Sequence, residues 1–468
     1  MECFTRWRGW LAVLGGVLIH LTLGTIYTYG NMSPYIMSYV RTNTDSGDVR
    51  YQQSTLIFAL TIFGQGLAMP FGGLLEKKLG PRLTTLLGSW LMSCGVMLSC
   101  LSVQNSYALL VLTYGFMFGV GVGIAYISPL VCAMKWMPER KGLINGFVVG
   151  GFGGGAFIFD QVQTAYINPH NLTPNVTLPN HPGEKYFGQE EILAKVPSCF
   201  LLIGGIYALI QLIGVLLLAE PPEDFGITEA SELVKSSVQA ADTVSTDSGA
   251  GYVMEPQTIP DSELDSKSSG LNLSPRELVK TRAFWTLWFA FLFQGQGQLF
   301  VSTLYKAFGQ SFIKDDSFLA IVGAFSALFN AGGRLFWGAL ADMFSFRAAM
   351  LTLCSTFAVL MLTFMATPDG GNAMFFIWVC ALFFTFGGNF SLFPTATARA
   401  FGTEHVGTNY GLLFTNQCVT GPVGAFLTIL LKDAIGWFGM FGLIAAFSLI
   451  SFLLTWSFNI KRPNGLDI

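Results

Sequence analysis

The chain has 468 residues, of which 52% are hydrophobic and 11% are charged, with a formal net charge of −3. Soluble domains carry about 25% charged residues, and a water-soluble chain this apolar would expose large apolar patches. Its 43 phenylalanines and 53 glycines suit membrane helices, where small residues let backbones approach closely. The composition predicts an all-α membrane protein embedded in a lipid bilayer, and it argues against nucleic-acid binding because no basic stripe is present.

The sequence offers no pattern for catalysis, metal binding or cofactor binding. The eight cysteines form no CxxC pair, so we expect reduced core residues. No cluster of histidines, cysteines and carboxylates supports a membrane-embedded enzyme. The glycine run Gly150–Gly155 lacks the Gly-Lys-Ser/Thr of a phosphate loop, and we interpret it as a packing face. We therefore predict a protein that is not an enzyme and has no cofactor and no metal.

Apolar runs long enough to cross hydrocarbon, about 20 residues each, recur along the chain. The first follows a short basic segment without a small-residue cleavage site, so we expect it to be a span and not a signal peptide. The twelve predicted spans, numbered in order, cover residues 10–31, 54–75, 83–103, 107–133, 143–166, 197–219, 283–306, 318–341, 347–367, 373–398, 408–431 and 436–458.

The two halves of the chain repeat with a constant offset of 265 residues, since Gly73 maps onto Gly338 and 338 − 73 = 265. The same offset relates further pairs in spans 2–5 and 8–11: Leu75 and Leu340, Arg82 and Arg347, Gly123 and Gly388, Pro129 and Pro394, Glu139 and Glu404, Gly142 and Gly407, Gly146 and Gly411. Two parallel six-helix repeats around a midplane site are the layout of major facilitator superfamily transporters. We predict this twelve-helix, pseudo-symmetric fold.

The predicted domains follow from the repeat. Residues 1–223 form an N-terminal six-helix bundle and residues 282–468 form a C-terminal one. Residues 224–281 between them are rich in Ser, Thr, Asp and Glu and nearly free of aromatic residues. Such a composition cannot bury a core, so we predict a largely disordered cytoplasmic linker.

Basic residues fall on one side of the predicted spans and give the orientation: Arg6, Arg8, Lys77, Lys78, Arg82, Lys135, Arg140, Lys141, Arg347, Arg399, Lys461 and Arg462. By the positive-inside rule that side is cytoplasmic, and both termini lie there. The loop between spans 5 and 6 is then outside, and it carries two glycosylation sequons, at Asn171 and Asn175. We predict a glycoprotein of the plasma membrane, with an endolysosomal membrane as the alternative.

Two segments resemble the loop motif of the major facilitator superfamily, a glycine, an acid, a base and a glycine that form a gate. They are Gly73-Leu-Leu-Glu-Lys-Lys-Leu-Gly80 and Gly338-Ala-Leu-Ala-Asp-Met-Phe-Ser345. The first has Lys77 at the acidic position with Glu76 one residue early. The second keeps Asp342 and loses the base and the last glycine. Both departures are expected to weaken the salt bridge of the gate, to which Arg82 and Arg347 also belong.

Further motifs resemble the oxalate:formate antiporter family, a relative of the monocarboxylate transporters. They are Trp136-Met-Pro-Glu-Arg-Lys-Gly142 with the glycines up to Gly155, Ser274-Pro-Arg-Glu-Leu-Val-Lys-Thr-Arg-Ala-Phe-Trp285, Asn389-Phe-Ser-Leu-Phe-Pro394 and Asn409-Tyr-Gly-Leu-Leu-Phe414. The resemblance implies a secondary active transporter that carries small organic anions by alternating access.

Arg334 is a lone cation in apolar span 8, 18 residues after Asp316 and 8 before Asp342. It is therefore roughly 27 Å and 12 Å from the two ends of the helix, too deep for easy snorkelling. A cation there costs roughly 2.5–3.5 kcal/mol, and a guanidinium matches a carboxylate bidentately. The related families bind substrate through an arginine in this helix. We expect Arg334 to bind a carboxylate; the alternative is pairing with backbone carbonyls or a neighbouring acid.

Asn330 lies one turn before Arg334 on the same helix face. The matching position of the monocarboxylate transporters resembles a proton-coupling aspartate, and an amide cannot titrate. If proton coupling needs an acid, this chain has it at another position, or the protein is an exchanger or uniporter. Symport with H+ and antiport with a counter-anion are therefore both alternatives. The repeat maps Asn330 onto Gln65 and Arg334 onto Met69, which leaves one cation and two amides.

The oxalate:formate antiporter resembles this chain but has a lysine where span 11 has Gln417. Two cations suit a dianion, whereas one cation with amides suits a monoanion, because each buried charge needs a partner. The sequence therefore predicts a monocarboxylate similar to lactate, pyruvate or formate. The alternatives are oxalate, a zwitterionic or neutral solute, and a non-transporting receptor on the same fold.

Tyr27 and Tyr29 in span 1, Gln294 in span 7 and Asn389 in span 10 are further candidates for hydrogen bonds to the substrate. The alternative for each is a contact between helices. His20 and Asp160 are candidates for proton coupling. His20 is alternatively a neutral core histidine, and Asp160, 19 residues beyond Lys141, is alternatively an interfacial residue. Any accessory chaperone partner is not identified by the sequence.

Overall fold

The computed structural model describes residues 2–44, 51–137, 140–170, 172, 174–178, 181–222, 272–309, 312–313 and 315–460. Within these ranges the protein is helical apart from one small sheet. The α-helices are Glu2–Leu23, Tyr29–Asn43, Tyr51–Asn105, Tyr107–Leu110, Phe118–Trp136, Lys141–Ile167, Glu190–Leu217, Pro275–Leu278, Arg282–Gly309, Asp316–Met343, Phe346–Phe364, Thr367–Gly387, Asn389–Phe401, Val406–Phe414 and Gln417–Ser457. A 3-10 turn, Gly24–Thr28, and a π-helical turn, Val111–Met117, continue spans 1 and 4.

These helices account for all twelve predicted spans. Tyr51–Asn105 contains spans 2 and 3, separated at Gly80, and Gln417–Ser457 contains part of span 11 and span 12, separated at Gly436. Both glycines have positive φ, 76° and 62°, a conformation that side chains other than glycine rarely adopt. By length and composition alone, eight helical segments in the described part of the chain are apolar enough to cross a membrane.

The loop between spans 5 and 6 contains a small sheet that the sequence did not predict. Strand β1, Val176–Leu178, pairs antiparallel with strand β2, His181–Tyr186. Tyr35 of span 1 stacks on Phe187 just after β2, with 4.9 Å between ring centroids. The hairpin is therefore attached to the C-terminal end of span 1, which continues to Asn43, well beyond its predicted end at residue 31.

The linker prediction mostly falls on residues 223–271, which lie outside the described ranges. Its last ten residues are described, and they contact the second half. The backbone N–H of Leu273 donates to the Phe401 carbonyl (3.0 Å), and Asn409 Nδ2 donates to the Leu273 carbonyl (3.0 Å). Ser274 and Glu277 then form a capping box at the start of a short helix. Hydrogen bonding to Ser274 lowers the pKa of the Glu277 carboxyl.

The two halves pack together at the end of the bundle that carries the two loop motifs, which we call the closed end. Gly142 of span 5 faces Gly338 of span 8, and a Cβ on Gly338 would lie 2.3 Å from the Gly142 carbonyl oxygen. The 265-residue offset relates this pair to Gly407 and Gly73, where a Cβ on Gly73 would lie 2.5 Å from the Gly407 oxygen. Glycine is required at both contacts because the backbones touch.

Different polar contacts hold the two equivalent sites at the closed end. The Asp342 carboxylate accepts hydrogen bonds from the backbone N–H groups of Gly142 (3.1 Å) and Leu143 (2.8 Å), at the N-terminus of span 5, and it pairs with Arg399. At the equivalent site, Lys77 Nζ lies 3.1 Å from Glu404 of the other half. Lys77 thereby lowers the pKa of the Glu404 carboxyl. The lysine at the acidic position of the first motif therefore forms an exposed ion pair between the halves.

We call the opposite end the open end. In the described residues no hydrogen bond joins spans 5 and 8 there, beyond the level of Gly153 and Asn330. At this end the second half has a core of its own. It is a cluster of aromatic and aliphatic side chains that includes Phe308 and Phe441, with 4.9 Å between their ring centroids.

Candidate substrate-binding site

Arg334 lies in the middle of span 8 and is completely buried, at 0% exposure. Its Nε donates to Asn330 Oδ1 (3.0 Å), and its Nη1 donates to the backbone carbonyl of Val149 in span 5 (3.0 Å). Asn330 is held in turn, because its Nδ2 donates to the Phe383 carbonyl (3.1 Å). The guanidinium therefore bridges the two halves of the protein at the inner limit of the open end.

One part of the guanidinium remains without a partner. Arg334 Nη2 is buried and donates no hydrogen bond, and no acid of the described chain lies within ion-pair distance of it. Aromatic rings cover the cation instead: its Cζ lies 4.4 Å from the centroid of Phe390 and 5.2 Å from that of Phe152. Cation–π contacts offset part of the desolvation of the charge, but they leave the donors of Nη2 unused.

Phenol groups lie beside these unused donors. The hydroxyls of Tyr27 and Tyr126 are close enough to interact with the guanidinium. The Tyr126 and Tyr410 hydroxyls are both buried without a hydrogen-bond partner, and the two rings stack with 6.5 Å between centroids. A buried donor without a partner costs about 1–3 kcal/mol. Several such donors around one cation form a site that an oxyanion would satisfy.

Several predicted residues do lie together at this place. Asn330 and Tyr27 contact Arg334 or its surroundings. His20 of span 1 also belongs here: its ring is 4.9 Å from that of Tyr126, its Nδ1 lies 3.1 Å from the Gly16 carbonyl, and its Nε2 is buried without a partner. With Nδ1–H donating to the carbonyl, Nε2 carries a lone pair and accepts hydrogen bonds.

Other predicted residues lie elsewhere. The Gln294 amide donates to Ser448 Oγ (2.9 Å) and Cys354 Sγ (3.0 Å), so it connects spans 7, 9 and 12 inside the second half. The amide that faces the site from span 7 is Gln298, whose Nε2 donates to the Tyr27 hydroxyl (3.3 Å). Tyr29 packs between aromatic rings of spans 2 and 4, and it does not face Arg334.

The remaining amides border the contact between the halves. A Cβ on Gly66, next to Gln65 in span 2, would lie 3.3 Å from Gln417 Cβ in span 11, so these two amides come from facing segments. Gln417 Nε2 and Asn389 Oδ1 are buried without hydrogen-bond partners. Gln65 is nearly buried, at 5% exposure.

Asp160 lies in the C-terminal part of span 5, away from Arg334. One carboxylate oxygen, Oδ1, is buried and accepts no hydrogen bond. Its backbone carbonyl accepts from Asn31 Nδ2 of span 1 (3.3 Å), and the same amide contacts Gln163 and Thr164 (3.3 and 3.1 Å). The Gln163 amide also donates to Thr28 Oγ1 (3.0 Å). Neutral groups surround this carboxyl.

The remaining predicted residues lie outside the central site. Arg82 and Arg347 each donate to a carbonyl at the end of the last span of their own half, that of Leu218 and that of Trp456. Glu76 pairs with Lys135 of its own half, 3.6 Å away.

The two sequons lie in the loop between spans 5 and 6, and the asparagine of one of them is outside the described residues. Asn171 is not described. The exposed Asn175 accepts a hydrogen bond at Oδ1 from the Gly188 N–H (2.8 Å), which leaves its Nδ2 directed to no described partner.

Sequence reasoning missed Tyr126, Tyr410, Gln298 and the two rings on the cation, Phe152 and Phe390. A signal existed for Tyr410, Phe390 and Phe152, which lie in the motifs Asn409–Phe414 and Asn389–Pro394 and in the glycine run Gly150–Gly155. For the others the sequence gives no signal, because their roles depend on which helix face meets the partner half.

Comparison with known proteins agrees with this architecture. Residues 16–425 match the Major Facilitator Superfamily. Apicoplast pyruvate carrier 1 of Toxoplasma gondii is 32% identical, over 93% of this chain and 86% of that protein. The oxalate:formate antiporter of Oxalobacter formigenes is 24% identical, over 86% and 82% of the two chains.

A solved structure, the proton:xylose symporter XylE with a bound bromodeoxyglucose, superimposes with a TM-score of 0.66 at 13% identity, covering 98% of this chain and 96% of that one. The predicted twelve-helix fold and the resemblance to oxalate:formate antiporters are confirmed. These matches are transporters and not enzymes. The chain belongs to the Major Facilitator Superfamily and is a multi-pass membrane transporter.

Proposed function

We propose that this transporter carries small monocarboxylates, with pyruvate first among the substrates to test, and that Arg334 binds the carboxylate. The observation that carries the proposal is the unpartnered Nη2 of a fully buried arginine beside the unpartnered hydroxyl of Tyr126. A carboxylate bound there would neutralise the cation and accept hydrogen bonds from both groups. The named pyruvate carrier with 32% identity supports the same substrate class.

The charge of the site favours a monoanion over a dianion. Arg334 is the one cation among the described residues that surround the site, and Gln417 supplies an uncharged amide. Oxalate would bring a second negative charge into a buried volume with no second cation, which costs several kcal/mol. The similarity to the oxalate:formate antiporter keeps oxalate as the alternative substrate.

Transport would proceed by alternating access. Because the closed end carries the basic loops, we propose that it is cytoplasmic, with the termini on the same side. The closed end would then separate Arg334 from the cytoplasm, and substrate would reach it from the outside through the open end. Separation of Gly142 from Gly338 and of Gly73 from Gly407 would open the cytoplasmic side.

The test is uptake into proteoliposomes loaded with unlabelled pyruvate. Labelled pyruvate, lactate, formate and oxalate are compared for wild type and Gln417→Lys, with Gln417→Asn as the matched neutral control. We expect wild type to prefer monoanions, and we expect Gln417→Lys to gain oxalate uptake relative to pyruvate because it adds a second cation. If oxalate outcompetes the monoanions in wild type, the charge argument is wrong.

A further inference from the structure

Asp160 lies on the face of span 5 that contacts span 8. At the closed end, Gly142, Gly146, Val149 and Gly153 meet span 8 one after another, with spacings of three or four residues. Asp160 follows Gly153 by seven residues, which is two helical turns, so it lies on the same face. It is about 10 Å further toward the open end.

The register of the closed end predicts what Asp160 meets when the open end closes. Span 5 and span 8 run antiparallel: Gly142 lies against Gly338, Gly146 against Leu335 and Gly153 against Ala331. The residue numbers in these pairs sum to 480, 481 and 484. If the sum stays at 484 for the next two turns of span 5, Asp160 lies opposite residue 324 (484 − 160 = 324). The span 8 residues on both sides of it, 323–327, are Gly-Ala-Phe-Ser-Ala, none of which is charged.

In the present arrangement no hydrogen bond of the described residues joins Asp160 to span 8. Asp160 is partly exposed, and a Cβ on Gly323 would meet the Tyr305 side chain of span 7 and no atom of span 5. Closing the open end by the packing seen at the other end would remove this carboxyl from water and press it onto a small, uncharged surface.

No described group would compensate a charged Asp160 in that position. From span 1, Asn31 contacts its backbone carbonyl and not its carboxylate. From spans 4 and 6, the groups near it are the phenols of Tyr114 and Tyr207. Span 8 brings no charged residue, and beside it span 7 brings the Tyr305 phenol. These neutral donors do not offset the desolvation of an isolated carboxylate, which costs many kcal/mol. Burial of the neutral carboxylic acid costs much less free energy.

We propose that Asp160 is a proton-binding site of the open-end gate, and that closure of this end requires its protonation. The gate would take its proton from the solution on the open side. When that end is closed, Asp160 is sealed about two turns away from the substrate level, so the proton is not handed across with each substrate. Acid on the open side therefore accelerates transport without driving it.

The first experiment measures pyruvate exchange at equal pyruvate on both sides, with the pH varied only on the open side from about 8 to about 5. This experiment rests on the proposed function, because the measured rate is that of pyruvate exchange. We expect wild type to accelerate as this pH falls. We expect Asp160→Asn, which resembles the protonated acid, to be fast and independent of pH, and Asp160→Glu to keep the dependence. Replacement of Na+ by choline should change nothing; dependence on Na+ would identify a metal-cation site and overturn the proposal.

A second experiment measures closure of the open end by cross-linking and does not depend on transport. The same register places Phe157 of span 5 opposite residue 327 of span 8 (484 − 157 = 327), so a Phe157→Cys/Ala327→Cys pair should approach when the open end closes. We expect cross-linking of this pair to increase with acid, and Asp160→Asn to make it independent of pH. A pH response that persists in Asp160→Asn overturns the gate proposal. If exchange of pyruvate is absent while cross-linking still depends on Asp160, the assigned substrate is wrong and the gate stands.

Discussion

Replacing Arg334 with methionine tests the substrate site most directly, because methionine is the residue at the equivalent position of the first half, Met69. A guanidinium has five N–H donors, and Arg334 uses one on Nε and one on Nη1. Three remain, and the two on Nη2, which has no partner, are available to a substrate. A hydrogen bond to a charged group contributes about 1.5–3 kcal/mol, so losing two should weaken pyruvate binding by about 10²–10⁴-fold.

Arg334→Lys gives an intermediate result. An ammonium has three donors, and two are needed for Asn330 Oδ1 and the Val149 carbonyl. One remains for the substrate, so one bond is lost and the affinity should fall by about 10–150-fold. The order wild type, lysine, methionine is therefore expected for the Kd of pyruvate, measured by quenching of tryptophan fluorescence in purified protein, and for the uptake rate.

Folding provides the control for this series. Arg334→Met leaves Asn330 Oδ1 without its donor, but it also removes a buried cation that has no acid partner among the described residues. The two effects oppose each other, so the thermal unfolding temperature in detergent should stay close to that of wild type. A methionine variant that is stably folded and binds pyruvate with the affinity of wild type would refute the arginine-based site.

Two further substitutions test the surroundings. Tyr126→Phe removes a buried, unpartnered hydroxyl and should weaken pyruvate binding by about tenfold without loss of stability; an unchanged Kd would remove Tyr126 from the site. Gly338→Ala places a Cβ 2.3 Å from a span 5 carbonyl and should loosen the closed end, seen as faster labelling of cysteines introduced there. Gly332→Ala, whose Cβ meets no atom within 4 Å, is the matched control and should label like wild type.

The sequence predicted the fold well because its signal is local and repeated. Apolar runs define the spans, and the constant offset assigns them to two halves. The depth of Arg334 also follows from counting residues between Asp316 and Asp342. The turn between spans 8 and 9 shows why details differ: Ser345 replaces the glycine of the first copy and caps the next helix by accepting from the Ala348 N–H (3.1 Å).

The site was only partly predictable because side-chain direction depends on tertiary packing. Gln294 and Gln298 are four residues apart, which moves the amide by about 6 Å along the helix and turns it by about 40°. That shift separates a contact inside the second half from one with Tyr27 of the first. The ion pair of Lys77 with Glu404 joins residues 327 positions apart, so no local pattern indicates it.

The Val149 contact of Arg334 leads to a prediction about the transport mode. Val149 lies on the face of span 5 that separates from span 8 when the closed end opens. Nη1 then loses its acceptor, and a bound carboxylate can replace it, whereas an empty site cannot. An unpartnered donor costs about 1–3 kcal/mol, so the empty transporter should reorient about 5–150-fold more slowly than the loaded one.

Exchange should therefore exceed net transport. Efflux of labelled pyruvate from loaded proteoliposomes should be faster into buffer that contains pyruvate than into buffer without it. Asn330→Asp supplies a fixed carboxylate one turn from Arg334 and should remove the difference by stabilising the empty site during reorientation, while lowering the affinity for substrate. Equal efflux rates into both buffers in wild type would show that the unpartnered Nη1 donor does not slow reorientation of the empty transporter. The role of the substrate as the replacement acceptor would then be wrong.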